Sequence, residues 1–386
     1  MTLPDRPRLS LSKRLRYALL TFFLVFLGIE VAARVGSYLM NGRNPYYLLY
    51  GFRSWSNEEG VGHTVKLDGY FKFPENVVIE YGTPEPARIN ALGFRGADFT
   101  PEKPAETFRV ICMGASSTFG YLNADPDTYP VRLEGLLGDG AEVINAGIPH
   151  FTTDHILACL EQELLGYQPD VLTIYTGCND AVRPMAETNI QKVQRVLDEY
   201  SAGYAALRKG VNATFGDVFF GQWTPYLQWM TAEGIQRQID LHLEMTRGNF
   251  EKIIAQAKQA DVPLVIVRQP ITLWFERESR DIVTADSPRT AYEQEYAELE
   301  QRFQEEGVLR GYEVTLYVHH HLNEAIDELA REHGLTVVDN VALLAEEPDG
   351  LGSKVHLTAS ANERLAQALF EAIGPLRQAE GGGGRE

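Results

Sequence analysis

The chain has 386 residues, 44% of them hydrophobic and 10% aromatic, enough to bury the core of one α/β domain with insertions. A formal net charge of −18 argues against nucleic acid as a partner, because a phosphate backbone is held by clustered Lys and Arg, and none cluster beyond residue 16. The three cysteines, Cys112, Cys159 and Cys178, show no metal-ligand spacing and read as buried free thiols.

Residues 1–16 carry Arg6, Arg8, Lys13, Arg14 and Arg16, directly before the apolar run that opens at Tyr17. Basic residues before a single hydrophobic segment favour an inside N-terminus and export of the chain beyond that segment. Two fates fit residues 17–40. A cleaved signal peptide suits the short apolar core, with Val31-Ala-Ala33 as the cleavage site. A retained membrane anchor suits a helix that continues through Val35–Met40, giving about 20 residues and some tilt, with Glu30 and Arg34 at i,i+4 spacing either paired at the interface or snorkelling outward. Either way the rest of the chain is expected outside the cytoplasm, and the anchor is the preferred reading.

Residues 41 to 105 are rich in Gly, Pro, Tyr and Asn without helical period, and read as an irregular lead-in, packed on the main domain or acting as a stalk. Near-continuous apolar runs then recur at 108–113, 142–146, 171–176, 263–268 and 335–339. Such runs, alternating with helices, are what a parallel sheet covered on both faces requires. The spacing predicts helices from Asp154 to Gly166, over 236–259, from Leu322 to His333, and from a cap at Thr358 to Ile373. The catalytic domain is therefore expected over 106–375, with a flexible tail at 376–386. An insertion at about 185–232, bearing Tyr200, Tyr204, Phe215, Phe219, Phe220, Trp223, Tyr226 and Trp229, reads either as a lid or substrate wall, or as packing on the domain or near a bilayer. A second, charged stretch at 271–312 reads as a solvated helical excursion.

Chemistry concentrates where these runs end. Phe108–Met113 breaks at Gly114 and leaves Ser116 on the following turn, the place where an open α/β sheet presents a nucleophile. Val143-Ile-Asn-Ala-Gly147 and Val171-Leu-Thr-Ile-Tyr-Thr-Gly-Cys-Asn-Asp180 end in small or amide residues, and Val355-His-Leu-Thr358 precedes the last helix. Acyl transfer needs a nucleophile, a base and donors aimed at the developing oxyanion. Ser116, His356, and the amides of Ser116, Gly147 and the Asn179 side chain are the candidates, in that order of role. Ser117 and Thr118 follow Ser116, so a turn or cap role competes, and neither serine satisfies the lipase-type Gly-x-Ser-x-Gly elbow.

These four blocks resemble the SGNH (GDSL-like) hydrolase family, named for a Ser, Gly, Asn and His in this order. Gly114-Ala-Ser116 stands where the family often has Gly-Asp-Ser. Gly147, Asn179 and His356 match the remaining blocks, and Asn90-Ala-Leu-Gly-Phe-Arg-Gly96 looks like the lead-in of membrane-anchored members. The resemblance implies a three-layer α/β/α fold with a five-stranded parallel sheet of flavodoxin-like type. It also implies a serine esterase, acting on acyl or O-acetyl esters of small molecules, glycans or lipids. One position departs: where the family has an aspartate three residues before the histidine, this chain has Ser353. Asp349 on the same Gly-rich loop is the candidate replacement. A backbone carbonyl holding the ring, or a decayed site, are the other readings. Relatives that transfer acetyl groups to exported polysaccharide make O-acyltransfer an alternative, and a decayed site would leave an envelope binding protein.

No Walker loop, dinucleotide-binding glycine pattern or His-Glu-x-x-His occurs, so no cofactor is implied. His319, His320 and His321 are consecutive, and on a helix they point in different directions, which disfavours a metal site.

Overall fold

The computed structural model describes residues 10–40, 65–80, 82–182, 197, 201–204 and 229–382. The chain divides into two compact units, 1–57 with 186–223, and 58–185 with 224–386.

In the first unit, helix α1 (Leu11–Met40) includes a 28-residue apolar stretch, Ser12–Leu39, long and apolar enough to cross a membrane. Its side chains are exposed along most of its length, but Ala33 and Ser37, one turn apart, are buried. Beside them the Glu30 carboxylate accepts hydrogen bonds from Arg34 (2.7 Å), the Ser201 hydroxyl (2.9 Å) and the backbone amides of Ala202 (2.9 Å) and Gly203 (2.7 Å). Glu30 thus meets the first free amides of the turn that starts at Ser201, the groups a helix start leaves without partners. The stretch read as a lid or wall, or as packing on the domain or near a bilayer, groups as far as residue 223 with the N-terminal helix. Tyr200, Phe215, Phe219, Phe220, Trp223 and Tyr226 lie outside the described residues. Trp229 is exposed in a short antiparallel pair, Trp229–Thr231 with Val308–Arg310.

In the second unit, five parallel strands follow in chain order: β1 (Phe108–Gly114), β2 (Ala141–Gly147), β3 (Val171–Tyr175), β4 (Leu264–Arg268) and β5 (Thr336–Asp339). Their spatial order is β5-β4-β3-β1-β2. The apolar runs alternate between two cores. Ile111, Met113, Ile144, Leu172, Ile174 and Ile266 pack on helices α4 (Thr153–Gln162), α6 (Ala232–Gln259) and α8 (Gly311–His333). Val110, Cys112, Val171, Tyr175, Val265 and Val267 pack on α3 (Tyr129–Leu137) and α9 (Ala359–Gly382). That is the expected three-layer sandwich. The lead-in is packed rather than a stalk in its described part: Tyr70, Phe71, Phe73, Ile79, Ile89 and Phe94 are buried in the first core.

Three expectations change. The last helix, α9, continues past Ile373 and Pro375 to Gly382, into the stretch expected as a flexible tail. Helix α8 starts at Gly311 rather than near Leu322, because residues 312–320 are buried on every side and carry no amphipathic period to read. The 271–312 stretch is not a solvated excursion. Ile271, Leu273, Tyr292, Leu299, Leu309 and Tyr312 form a third apolar cluster, against which α7 (Tyr292–Glu306) packs and buries Glu295.

Candidate active site

The strand order reverses between β1 and β3, and an open α/β sheet binds its ligand in the crevice beyond the strand ends at such a switch point. Ser116 opens α2 (Ser116–Phe119) directly after β1, and Asn179 lies in α5 (Cys178–Val182) directly after β3. Strands β1 and β2 end side by side, Gly114 opposite Gly147. Both glycines are required by close approach. A Cβ at Gly147 would lie 2.2 Å from the Phe119 amide nitrogen, and one at Gly114 would lie 2.0 Å from Thr118 Oγ1. The turn that carries Ser116 can sit down on the sheet only because neither strand end carries a side chain.

The Ser116 hydroxyl lies 2.8 Å from His356 Nε2, although 240 positions separate them in the chain. On the other side of the ring, Nδ1 lies 2.6 Å from the Ser353 hydroxyl. Ser117 is not available as an alternative nucleophile: it is buried, and its hydroxyl donates to Val355 O at 3.0 Å. Asp349 does not take the aspartate's place. Its carboxylate is 83% exposed and pairs with Arg289 Nε at 3.2 Å. Arg289, held against the rings of Trp274 and Phe275 at 4.7 Å each, also donates to Leu351 O, so the 349–351 part of the loop is fastened to the 271–291 segment and away from the imidazole. The residue at the family's aspartate position is itself the partner of Nδ1, with a hydroxyl in place of a carboxylate.

Burial, first, and the charge of His150, second, push the His356 pKa down to about 4. No negative group opposes this, since Ser353 is neutral. The ring is therefore an uncharged imidazole at neutral pH. With Nε2 facing the Ser116 hydroxyl as acceptor, Nδ1–H is the donor to Ser353. His150 belongs to none of the four sequence blocks. It follows β2 with a left-handed backbone, φ 67°, a conformation that non-glycine residues hold mostly where the surroundings impose it.

The candidate oxyanion donors are not equivalent. The Ser116 amide is in the first turn of a helix, where no carbonyl four residues back is available to it. Asn179 Nδ2 donates one hydrogen to Phe151 O at 2.9 Å, which fixes the amide and leaves its second hydrogen toward the cleft. The Gly147 amide, expected as a third donor, is committed: it donates to Asn145 Oδ1 at 3.0 Å, a short-range side-chain contact of the kind Asn makes with the backbone two residues on. Gly147 serves the site here through its missing side chain.

Supporting contacts come from residues to which the sequence motifs give no role. Asp180 accepts from the Thr153 amide (3.0 Å) and hydroxyl (2.6 Å), tying α5 to the start of α4. Gln269 Oε1 accepts from the Cys178 amide at 2.7 Å. The cleft is lined by Ser116, Gly177, Cys178, Asn179, Gln269 and Val355. Among the described residues no group of histidine, cysteine and carboxylate side chains is arranged to hold a metal.

Residues 112–364 match the GDSL-like lipase/acylhydrolase family, a span that takes in Ser116, Gly147, Asn179 and His356. The chain belongs to that family. Its members hydrolyse esters, and this chain is an ester hydrolase of that class. Similar solved structures include a GDSL-like lipase from Bacteroides thetaiotaomicron (14% identity, 71% of this chain and 91% of that one, TM-score 0.41). An aryl esterase of M. smegmatis (15%, 70% and 100%, 0.39) and an acetylxylan esterase from Geobacillus stearothermophilus (14%, 70% and 96%, 0.40) are others. No curated protein matches the sequence. The assignment rests on the family match.

Proposed function

We propose that this GDSL-family protein is a serine esterase for small acyl esters, O-acetyl groups included, acting outside the cytoplasm at the end of a retained membrane anchor. The observation that carries the reading is the hydrogen-bonded line Ser116 Oγ, His356 Nε2, His356 Nδ1, Ser353 Oγ, at 2.8 and 2.6 Å. A nucleophile with its base, and the base oriented by a third group, is the arrangement that acyl transfer needs.

In the reaction, Ser116 Oγ attacks the ester carbonyl carbon while His356 Nε2 takes its proton. The Ser116 amide and Asn179 Nδ2 donate to the oxygen that becomes negative. Collapse of the tetrahedral adduct breaks the bond to the alcohol, which leaves with the proton from Nε2. Water, deprotonated by the same nitrogen, then attacks the acyl-enzyme and releases the acid and Ser116. Throughout, Ser353 accepts the Nδ1 hydrogen and keeps Nε2 facing the nucleophile. Gln269 and Val355 line the cleft beside Ser116 and Asn179, where the acyl group would lie.

The basic residues before Tyr17 favour the exported orientation. Retention of the helix is favoured by Glu30: cleavage after Ala33 would remove the carboxylate that Ser201, Ala202 and Gly203 share.

A fluorophosphonate tests the nucleophile. Attack by Ser116 forms a Ser–O–P bond and expels fluoride, the proton passing to His356. The expected result is a mass adduct on Ser116 that is absent in Ser116→Ala and strongly slowed in His356→Ala. A folded protein that takes no adduct would move the reading to a binding protein.

A further inference from the structure

Arg95 comes from the lead-in segment, before the first strand of the sheet, yet its guanidinium is buried among the loops of the site. Nη1 donates to Phe119 O and Gly120 O, both at 2.9 Å. Nη2 donates to Asn123 O at 2.8 Å, and Nε pairs with Asp125 Oδ1 at 2.7 Å. The Phe119 ring lies 4.9 Å from the guanidinium carbon. Asn145, the residue opposite Arg95 in an isolated antiparallel bridge, adds a contact to Phe119 O at 3.3 Å.

The loop so held, 119–125, touches both halves of the catalytic pair. At one end it closes the turn that Ser116 opens: the amides of Gly120 and Tyr121 both donate to Ser116 O at 3.0 Å. At the other end the Tyr121 ring lies on the His356 ring, centroids 4.5 Å apart and tilted by 37°. Tyr121 is backed by Gly82, again from the lead-in, where any Cβ would come within 1.7 Å of the ring. Asn123 Nδ2 donates to Leu357 O at 2.8 Å, next to the base. A planar fork of donors can satisfy carbonyls on successive residues at once, which the single ammonium of a lysine cannot do.

We propose that Arg95 is the positioning residue that keeps the nucleophile turn and the base in register, and that the lead-in segment is thereby part of the catalytic apparatus. This rests on Ser116 being the nucleophile. Arg95 does not touch the reacting atoms. It acts through the loop, and Tyr121 is the member of that loop that covers His356. His150, from the β2 loop, is the titratable neighbour whose charge bears on that ring, and Asp349, on its own loop, is drawn off by Arg289.

The experiment measures the second-order rate of fluorophosphonate labelling at Ser116 against pH for the full chain. The variants are Arg95→Lys, Tyr121→Leu and Asp125→Asn, each also followed by thermal unfolding. Arg95→Lys is expected to label about 10²-fold more slowly, the loss that a misplacement of about 1 Å brings. The acid limb of its profile moves toward that of an ordinary histidine as Tyr121 loosens, and Tyr121→Leu shows the same movement. Asp125→Asn leaves the three carbonyl contacts intact and stays within about fivefold, as a partly exposed ion pair should. Arg95→Lys with a lowered unfolding temperature but the wild-type rate and acid limb would make Arg95 purely structural and overturn the proposal. So would Asp125→Asn as slow as Arg95→Lys, which would assign the effect to the ion pair. If Arg95→Lys does not fold, Tyr121→Leu decides: an unmoved acid limb there overturns the proposal. Wild-type protein that takes no label defeats the nucleophile assignment itself, and the inference with it, a result distinct from one confined to the variants.

Discussion

Ser353→Asp puts a carboxylate where the structure has a neutral hydroxyl, 2.6 Å from His356 Nδ1. The aspartate is longer by one bond, and the loop that carries it, with Gly350 and Gly352, has to withdraw slightly to seat it. A carboxylate and an imidazolium about 4 Å apart attract by about 4 kcal/mol at an effective dielectric constant of about 20, before desolvation is subtracted. An opposite charge at this range shifts a pKa by about 1 to 3. His356 should therefore rise from about 4 into the range about 5 to 7. A stronger base with its charged form stabilised should take about 1.4–2.8 kcal/mol off the barrier, a rate gain of about ten- to a hundredfold. Removal of the carboxylate from an established triad costs about 10⁴, so a gain of this size is well inside what the group can supply. The assay is kcat/KM against pH on a small aryl acetate, for wild type, Ser353→Asp and Ser353→Ala. The expected pattern is an acid limb and a plateau that both rise in Ser353→Asp, with a plateau that falls in Ser353→Ala because the ring loses its restraint. An acid limb that stays near 4 in Ser353→Asp, or full activity in Ser353→Ala, would refute the role given to this hydroxyl.

Acid should separate stability from activity in the wild type. His356 and the fully buried His319, both held down by burial first, to about 4 and about 3, are neutral in the fold, whereas unfolded histidines protonate near 6.5. Between about pH 6.5 and 4 the unfolded chain binds more protons, so the unfolding temperature should fall as pH falls through that window while kcat/KM stays level until about 4. An activity limb near 6.5 would contradict a buried histidine with no carboxylate partner. Gly147→Ala tests the close approach of the nucleophile turn. Its Cβ must displace the Phe119 backbone, 2.2 Å away, so a loss of about 1–3 kcal/mol or more in denaturant unfolding is expected, together with slower labelling of Ser116. Unchanged stability would show that the turn does not rest on that strand end.

Most of the fold could be read from the chain because it is carried by local pattern. Five apolar runs gave five strands; Ser116 and Asn179 follow two of them, and His356 lies in the loop before the last helix. What escaped depends on distant contacts or on side-chain direction. Asp349 was plausible by proximity along the chain, but Arg289, sixty positions earlier, claims it. Ser353 was visible as a missing carboxylate and not as a hydroxyl three residues from the ring it holds. Gly147 was expected to offer an amide, and the neighbouring Asn145 had already taken it. Arg95 stands in the lead-in motif with no chemistry attached, because the carbonyls it binds lie in a loop beyond the first strand. The start of α8 was hidden for the opposite reason: a helix buried all round has no polar face to reveal its period.

The buried thiols have a practical consequence. Cys112, in the centre of β1, is pushed up to about 12 by burial, and the thiols of Cys159 and Cys178 are raised for the same reason. All three are buried, Cys178 at the wall of the cleft, and these are all the cysteines the sequence contains. Because the thiolate is the form that reacts, the native protein is nearly silent toward alkylating dyes while folded. A single cysteine introduced on an exposed face, for example Val131→Cys on α3, would then be the one site that takes a fluorophore or spin label quickly. Spectroscopy could follow the enzyme at a chosen position without any native cysteine having to be removed.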